Sequence, residues 1–122
     1  MQLQVYDISF SYSDFKALKH ISFEAARGDI VAIIGQNGSG KSTLLKCIAR
    51  ILKISAGTIR IGNTALHTIP SDKLSRLLSY IPQTEEVING INVFDAVLLG
   101  RKPYIRGCPS TEDMDDTIYK LQ

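Results

Sequence analysis

Residues 2–12 alternate apolar and polar positions, with Leu3, Val5, Ile8, Phe10 and Tyr12 on the apolar side. Period-two alternation of this length predicts a half-buried β-strand. The phase slips near Tyr6-Asp7, and one extra residue there predicts a β-bulge. Residues 13–16, polar apart from Phe15, are turn-like, and a second strand over about 17–26, carrying Leu18, Ile21, Phe23 and Ala25, closes an antiparallel hairpin. Arg27-Gly28-Asp29 turns the chain into Asp29–Ile34, a short apolar run rich in β-branched residues. Such a run without alternation predicts a strand buried on both faces, as in a parallel sheet. Residues 43–52 place apolar side chains at 44, 45, 48, 51 and 52, which is helical spacing with one buried stripe.

Further along, Ala56-Gly57 breaks the chain and Thr58–Ile61 alternates as a short strand ended by Gly62-Asn63. Pro70-Ser71-Asp72 starts a helix through Leu74, Leu77 and Leu78. Ser79-Tyr80-Ile81 reads as another short strand, stopped by Pro82. A helix is predicted from Asn92 as its N-cap through Leu99, with Gly100 as the stop. A last helix starts at Ser110, where Ser-x-x-Asp over 110–113 is a capping pattern.

Composition narrows the class. The 122 residues are 44% hydrophobic, enough for one domain with a core and against global disorder. A net charge of +2 gives no case for a nucleic-acid partner. The run Ile30–Ile34 is too short to cross a bilayer, and Met1–Gln4 shows neither a basic nor an apolar leader. Cys47 and Cys108 lie far apart and form no metal or redox motif, so reduced thiols and a cytoplasmic setting are expected.

The chemistry lies between the apolar run and the helix. Gly35-Gln36-Asn37-Gly38-Ser39-Gly40-Lys41-Ser42 has the form G-x-x-x-x-G-K-S, a phosphate-binding loop. Crowded phosphate oxygens need many donors in little space. Glycines let backbone N–H groups curl around them, since no Cβ blocks the approach. Lysine reaches the β- and γ-phosphates, serine ligates Mg²⁺, and the helix N-terminus aims its dipole at the same charge. Lys41 and Ser42, with Gly35, Asn37, Gly38, Ser39 and Gly40, are the candidate binding residues.

The order of these parts resembles the N-terminal half of an ATP-binding cassette (ABC) domain, the nucleotide-hydrolysing subunit of ABC transporters. Phe10-Ser11-Tyr12 followed by Ala17–Phe23 looks like that family's opening hairpin, Ser55-Ala56-Gly57-Thr58-Ile59 like its S-x-G-x-I stretch, and Tyr80-Ile81-Pro82-Gln83 like its Q-loop. Asn92–Tyr104, with its Gly100-Arg101-Lys102-Pro103-Tyr104 piece, looks like ATPases of iron-siderophore and vitamin B12 importers. The resemblance implies an α/β fold: a P-loop NTPase core with a parallel sheet, an antiparallel N-terminal β layer and the start of a helical subdomain. It divides the chain into 1–27 (β layer), 28–83 (P-loop core) and 84–122 (Q-loop and start of the helical subdomain).

By the same resemblance Tyr12 stacks on adenine, Thr43 contacts phosphate, and Gln83 reaches Mg²⁺ and the attacking water, joining Lys41 as catalytic and Ser42 as a metal ligand. Glu85 and Glu86 stand where relatives touch the membrane subunit. The cofactors implied are ATP and Mg²⁺. The partners implied are membrane permease subunits, a second cassette that dimerises on ATP binding, and a substrate-binding protein met only through the permease. The location implied is the inner face of the cell membrane. The family's signature L-S-G-G-Q, its Walker B acids and its switch histidine do not occur in these 122 residues. The expected chain is therefore an incomplete cassette that binds ATP but does not turn it over efficiently alone, with exposed apolar surface and marginal stability. A truncated nucleotide-binding remnant, a soluble non-transport cassette and another class of P-loop enzyme stay open. Arg101, Tyr104, His20 and His67 are expected as surface or packing residues, and Asp113, Asp115 and Asp116 as helix N-terminal acids.

Overall fold

The alternating segments at the start form a long hairpin. In the computed structural model, which describes residues 2–83, 91–105 and 107–120, β1 spans Leu3–Tyr12 and β2 spans Phe15–Ala25. The predicted slip is there. Val5 pairs Phe23 and Ile8 pairs Ile21, so β1 carries one extra residue, and Asp7 in it adopts φ 49°. Between Ile8–Ile21 and Phe10–Leu18 the extra residue is on β2, where His20 has φ 50°. These two offset each other, and a further shift between Phe10–Leu18 and Ser11–Lys16 leaves another extra residue on β2. The first re-phases the alternation, so that Val5, Ile8 and Phe10 are all buried. Serine hydroxyls take up amides at the bulges: Asp7 N–H donates to Ser22 Oγ at 2.8 Å and His20 N–H to Ser9 Oγ at 3.2 Å. The His20 ring bonds Asp7 at 2.7 Å across the gap.

β3 (Ala56–Ile61) pairs antiparallel along the other edge of β1, and β4 (Thr64–Ala65) follows, giving the order β2-β1-β3-β4. The bulge dictates a residue on β3. A Cβ on Gly57, at φ +86°, would stand 2.3 Å from the Asp7 carbonyl oxygen. The glycine of the S-x-G-x-I stretch is therefore required by backbone contact with β1. Helix α1 (Lys41–Ile48) contributes Leu44, Cys47 and Ile48 to a core shared with Val5, Ile8, Phe10, Leu18, Ile59 and Ile61.

The fold is α/β with an antiparallel β layer, as the sequence predicts. Three local expectations need correction. Asp29–Ile34 is not a strand: it is unpaired, and Ile30 and Ile34 are 99% and 92% exposed. Residues 79–81 form no strand either, and Ile81 is exposed. Strand order along a parallel sheet needs flanking strands, and every pairing among the described residues is antiparallel. Third, α1 ends at Ile48 instead of continuing to Leu52. Arg50 turns left-handed at φ 57°, while the Ile51 N–H and Leu52 N–H both return to the Lys46 carbonyl. The Arg50 guanidinium donates to the carbonyls of Leu66 and Ile69, which gives the turn its anchor.

Contacts divide the chain into two units, Met1–Pro70 and Ser71–Gln122. The second holds α2 (Ser71–Leu77), α3 (Val93–Gly100) and α4 (Thr111–Lys120). Asn92 caps α3 as predicted, its side chain accepting from the Asp95 N–H at 2.8 Å. Gly100 is the last helical residue and the chain continues in turns through Arg101 and Tyr104. Ser110 and Asp113 cap α4 reciprocally: Asp113 Oδ2 accepts from the Ser110 N–H at 2.9 Å, and Ser110 Oγ accepts from the Asp113 N–H at 3.3 Å. Arg101 is no free surface cation. It donates to Asp113 Oδ1 at 3.0 and 3.1 Å and pairs with Asp116, tying the end of α3 to α4. Arg76 lies 5.0 Å from the centre of the Tyr104 ring and donates to the Pro103 carbonyl at 2.8 Å. Glu85 and Glu86 lie outside the described residues.

Two outcomes are expected. Gly57→Ala adds both a left-handed penalty and a backbone clash, so it should cost about 3 kcal/mol of stability in urea unfolding. Gly62→Ala, at φ +57° with open space around it, should cost about 1 kcal/mol. In the second unit, the hydrogen bonds from the Ser110 amide and hydroxyl, then Arg101, hold the Asp113 carboxyl below the usual aspartate range. A depressed carboxylate stabilises the fold above its unfolded pKa, and that contribution disappears as pH falls through the folded value. The Ser110 amide resonance should therefore hold its capped position through mildly acid pH and move only in strongly acid solution, a transition absent in Asp113→Asn.

Candidate functional site

The apolar run delivers the chain to Gly35, and the loop then turns on the Ser39 N–H to Gln36 carbonyl bond at 3.2 Å. Gly38 and Gly40 have φ of 82° and 91°, conformations that side-chain-bearing residues avoid. Gly40 is also a packing requirement. A Cβ there would stand 2.7 Å from the Ala17 carbonyl oxygen and 3.0 Å from Leu18 Cδ2. The loop can therefore feed α1 only where it rests on β2.

Gly40 is the N-cap of α1, and no side chain caps it. No acidic residue occupies the first turn either. The first N–H groups of the helix are left for an external acceptor, at the positive end of the helix dipole. Lys41 Nζ donates to the carbonyls of Gly35 at 2.8 Å and Gln36 at 2.7 Å. Those bonds curl the loop and hold the ammonium over it. Gly35–Ser39 and Ser42 are exposed, so the donors and the Ser42 hydroxyl face solvent. Uncapped amides, a lysine and two left-handed glycines that keep Cβ atoms away make a cradle for a polyphosphate.

Tyr12 lies at the end of β1. Its ring meets Phe10 edge-on at 4.8 Å, and its hydroxyl is 3.5 Å from Thr43 Oγ1 in the first turn of α1. The ring is 45% exposed, so a face remains available beside the loop. Thr43 itself is buried. The first unit thus brings together Tyr12, Gly35, Asn37, Gly38, Ser39, Gly40, Lys41, Ser42 and Thr43. Gln83 is an exposed residue of the second unit. Sequence reasoning missed Ala17 and Leu18, the floor beneath Gly40; no residue type signals a contact made through a backbone oxygen.

A cavity of about 500 Å³ opens at the other end of α1, lined by Cys47, Ile51, Leu52, Ile59 and Leu66 among others. Its walls are mainly aliphatic and include none of the loop. The uncapped N-terminus of α1 and Lys41 lie at the loop, outside this cavity. Burial raises the Cys47 thiol above its ordinary pKa, which keeps it unreactive. Among the described residues no group of three or more His, Cys, Asp or Glu side chains could hold a metal. A cation at the loop would depend on Ser42 and on ligand oxygens. No helix there is long and apolar enough to cross a membrane.

Residues 18–122 match the family model described as ABC transporter. An uncharacterised ABC transporter ATP-binding protein of Methanocaldococcus jannaschii is 46% identical over 117 residues, covering 96% of this chain and 46% of that protein. The iron(3+)-hydroxamate import ATP-binding protein of Bacillus subtilis is 30% identical, over 97% of this chain and 44% of that protein. The hemin import ATP-binding protein of Gloeobacter violaceus is 33% identical, over 79% and 35%. Among solved structures, an ATP-binding subunit of an ABC transporter superposes with a TM-score of 0.75 at 30% identity, over 88% of this chain and 44% of that one. A dimeric bacterial ABC transporter cassette, 24% identical, shares the fold with a TM-score of 0.77 over 93% and 53%. The chain spans about half the length of the curated relatives it matches.

Gly40→Ala should displace the start of α1 from β2, shifting the amide resonances of Lys41–Leu44 and costing about 3 kcal/mol in urea unfolding. Gly38→Ala, with nothing within 4 Å of its Cβ, should cost about 1 kcal/mol and leave those resonances in place.

Proposed function

Because the chain belongs to the ABC transporter family, we propose that it is the nucleotide-binding part of an importer ATPase, with Gly35–Ser42 holding the phosphates of ATP. The observation that carries this reading is the uncapped N-terminus of α1 behind left-handed Gly38 and Gly40, with Lys41 bound across the loop.

Each residue has a role in that reading. The backbone of Asn37–Ser42 donates to phosphate oxygens, and Lys41 neutralises the β- and γ-phosphates. Ser42, with Gln83, would hold Mg²⁺, which when bound spreads the charge of the terminal phosphates. Thr43 contacts phosphate from the first turn, its hydroxyl beside that of Tyr12, and the exposed face of Tyr12 takes the adenine. Gln83 and Lys41 are the residues of this chain proposed for the hydrolytic step. The division into 1–27, 28–83 and 84–122 belongs to the same proposal.

The 122 residues contain no L-S-G-G-Q run. Hydrolysis needs phosphate and metal held and a water oriented, and these residues supply the cradle and Gln83. The chain therefore binds ATP without steady turnover by itself. In the complete assembly a second cassette meets it across ATP, permease subunits take up the motion at the cytoplasmic face of the membrane, and a substrate-binding protein acts through the permease. Relatives named for iron-hydroxamate and hemin import, with the Gly100–Tyr104 piece, support an iron-chelate or cobalamin-like cargo.

Titration of a fluorescent ATP analogue with Mg²⁺ tests the nucleotide reading. Lys41→Ala should weaken binding at least tenfold. Tyr12→Ala should weaken it about tenfold, within the roughly 1–3 kcal/mol of a base–aromatic stack. Unchanged affinity in Lys41→Ala would refute the site, and a steady phosphate-release rate from residues 1–122 that Lys41→Ala abolishes would refute the dependence on further residues. For the cargo, deleting the gene should lower cellular uptake of labelled ferric hydroxamate or cobalamin; undiminished uptake of both would remove that assignment.

A further inference from the structure

Near its turn, the first hairpin carries one residue more on β2 than the pairing needs. Tyr12 pairs Phe15, Ser11 pairs Lys16 and Phe10 pairs Leu18, so Ala17 is the extra residue. Side chains alternate along a strand, and residues directly opposite in an antiparallel pair share a face. Counted back from buried Leu18 by strict alternation, Phe15 would stand on the outer face, away from α1. The bulge at Ala17 turns it over. Phe15 therefore shares the face of Tyr12, the face packed on α1: Phe10 is buried in it, and the Tyr12 hydroxyl lies 3.5 Å from Thr43 Oγ1. The two-residue turn Ser13-Asp14, with Ser13 at φ 47°, holds the pair side by side.

We propose that Phe15 is a second base-contacting residue of the nucleotide site, and that with Tyr12 it takes the base of the nucleotide whose phosphates lie on Gly35–Ser42. The inference rests on the nucleotide reading above and adds a residue to it. Three observations select a nucleobase as the occupant. Phe15 is exposed, and among the described residues the Tyr12 ring meets only the Phe10 ring while the Phe15 ring meets none. A pair that served only to hold the hairpin would put its two rings against each other. The place is also set by the phosphate loop itself, because the carbonyl oxygen of bulged Ala17 lies where a Cβ on Gly40 would stand 2.7 Å away. The residue that turns Phe15 over is thus the one on which the loop rests, just before α1 begins at Lys41. Finally, Phe10 edge-on at 4.8 Å and the Thr43 hydroxyl hold Tyr12 in place and leave it a flat surface to offer. Flat aromatic surfaces beside a polyphosphate cradle suit a base, since every base has a π-face. Every contact that sets this placement lies between Phe10 and Thr43 of the first unit.

The two ends of the site then do different work. The loop and Lys41 hold charge, whereas Phe15 offers only a ring. Loss of that ring is felt by a ligand that carries a base and ignored by a bare polyphosphate. A change that instead moved the bulge, and the loop with it, would be felt by both.

The probes are ATP and inorganic tripolyphosphate, each with Mg²⁺, titrated calorimetrically into the 122-residue chain. Phe15→Ala should weaken ATP binding about fivefold, the low end for a base–aromatic stack, and leave tripolyphosphate binding unchanged. Phe15→Tyr should keep the ATP affinity of the unaltered chain and Phe15→Leu should not, while the amide resonances of β1 and β2 stay in place in all three. With ATP bound, nuclear Overhauser contacts should join the adenine protons to the Phe15 ring. Equal weakening of both ligands by Phe15→Ala overturns the proposal, since Phe15 then only holds the hairpin against the loop. So does ATP affinity that Phe15→Leu keeps in full, which makes the residue apolar cover. Lys41→Ala separates the two readings. If it weakens both ligands and Phe15→Ala weakens neither, Phe15 leaves the site and the nucleotide reading stands. If it changes neither, or if the unaltered chain binds neither ligand, the nucleotide reading is refuted and this inference with it.

Discussion

Everything about the loop depends on how closely α1 approaches β2. Gly40 lies so near the Ala17 carbonyl and Leu18 that a single methyl group would collide with both. That contact sets where the helix begins, and so where its bare N–H groups point. It also brings Thr43 within reach of the Tyr12 hydroxyl. A cradle for anions could be built on any helix N-terminus. Here it is attached to a particular sheet, beside a particular aromatic ring, because one residue has no side chain.

The same logic runs through the sheet. The extra residue at Tyr6-Asp7 re-phases β1 so that Val5, Ile8 and Phe10 all face the core. It also pushes the Asp7 carbonyl against β3, where only glycine fits at position 57. The opposed bulge at His20 returns β2 to register, and serine hydroxyls take up the amides the irregular ladder leaves over. Asp7, His20, Ser22 and Gly57, drawn from three strands, thus make one local arrangement. A bulge of this kind is a built feature, and its result is a sheet edge on which β3 can add.

The hairpin, its slip at Tyr6-Asp7, the caps of α3 and α4 and the phosphate loop were legible in the sequence because each rests on local rules. Alternation of period two, an Asn or Ser three residues before the amide N–H that donates to it, and glycines before a lysine act within a few residues. The failures share a different cause. Asp29–Ile34 and 79–81 have strand composition, but a parallel strand exists only through its neighbours. Helical spacing continued to Leu52, yet α1 stops early because Arg50 turns left-handed and gives its guanidinium to carbonyls near residue 66. Arg101 looked like a surface cation until the fold placed Asp113 and Asp116 beside it.

The sequence by itself determined the chemistry at the loop. Glycine, lysine and serine in that order state what can be bound, since flexibility, charge and a hydroxyl are properties of the residues themselves. It also determined the family, through four motifs in order. The resemblance named Tyr12 and Thr43, and the packing of β1 and α1 puts their hydroxyls 3.5 Å apart. Tertiary structure alone placed Ala17 and Leu18 beneath the loop, through a backbone contact that no side chain announces. It alone decided, too, that the apolar run leading into the loop lies bare. Hydrophobicity says that a segment seeks cover, and only the presence of a partner decides whether it is covered.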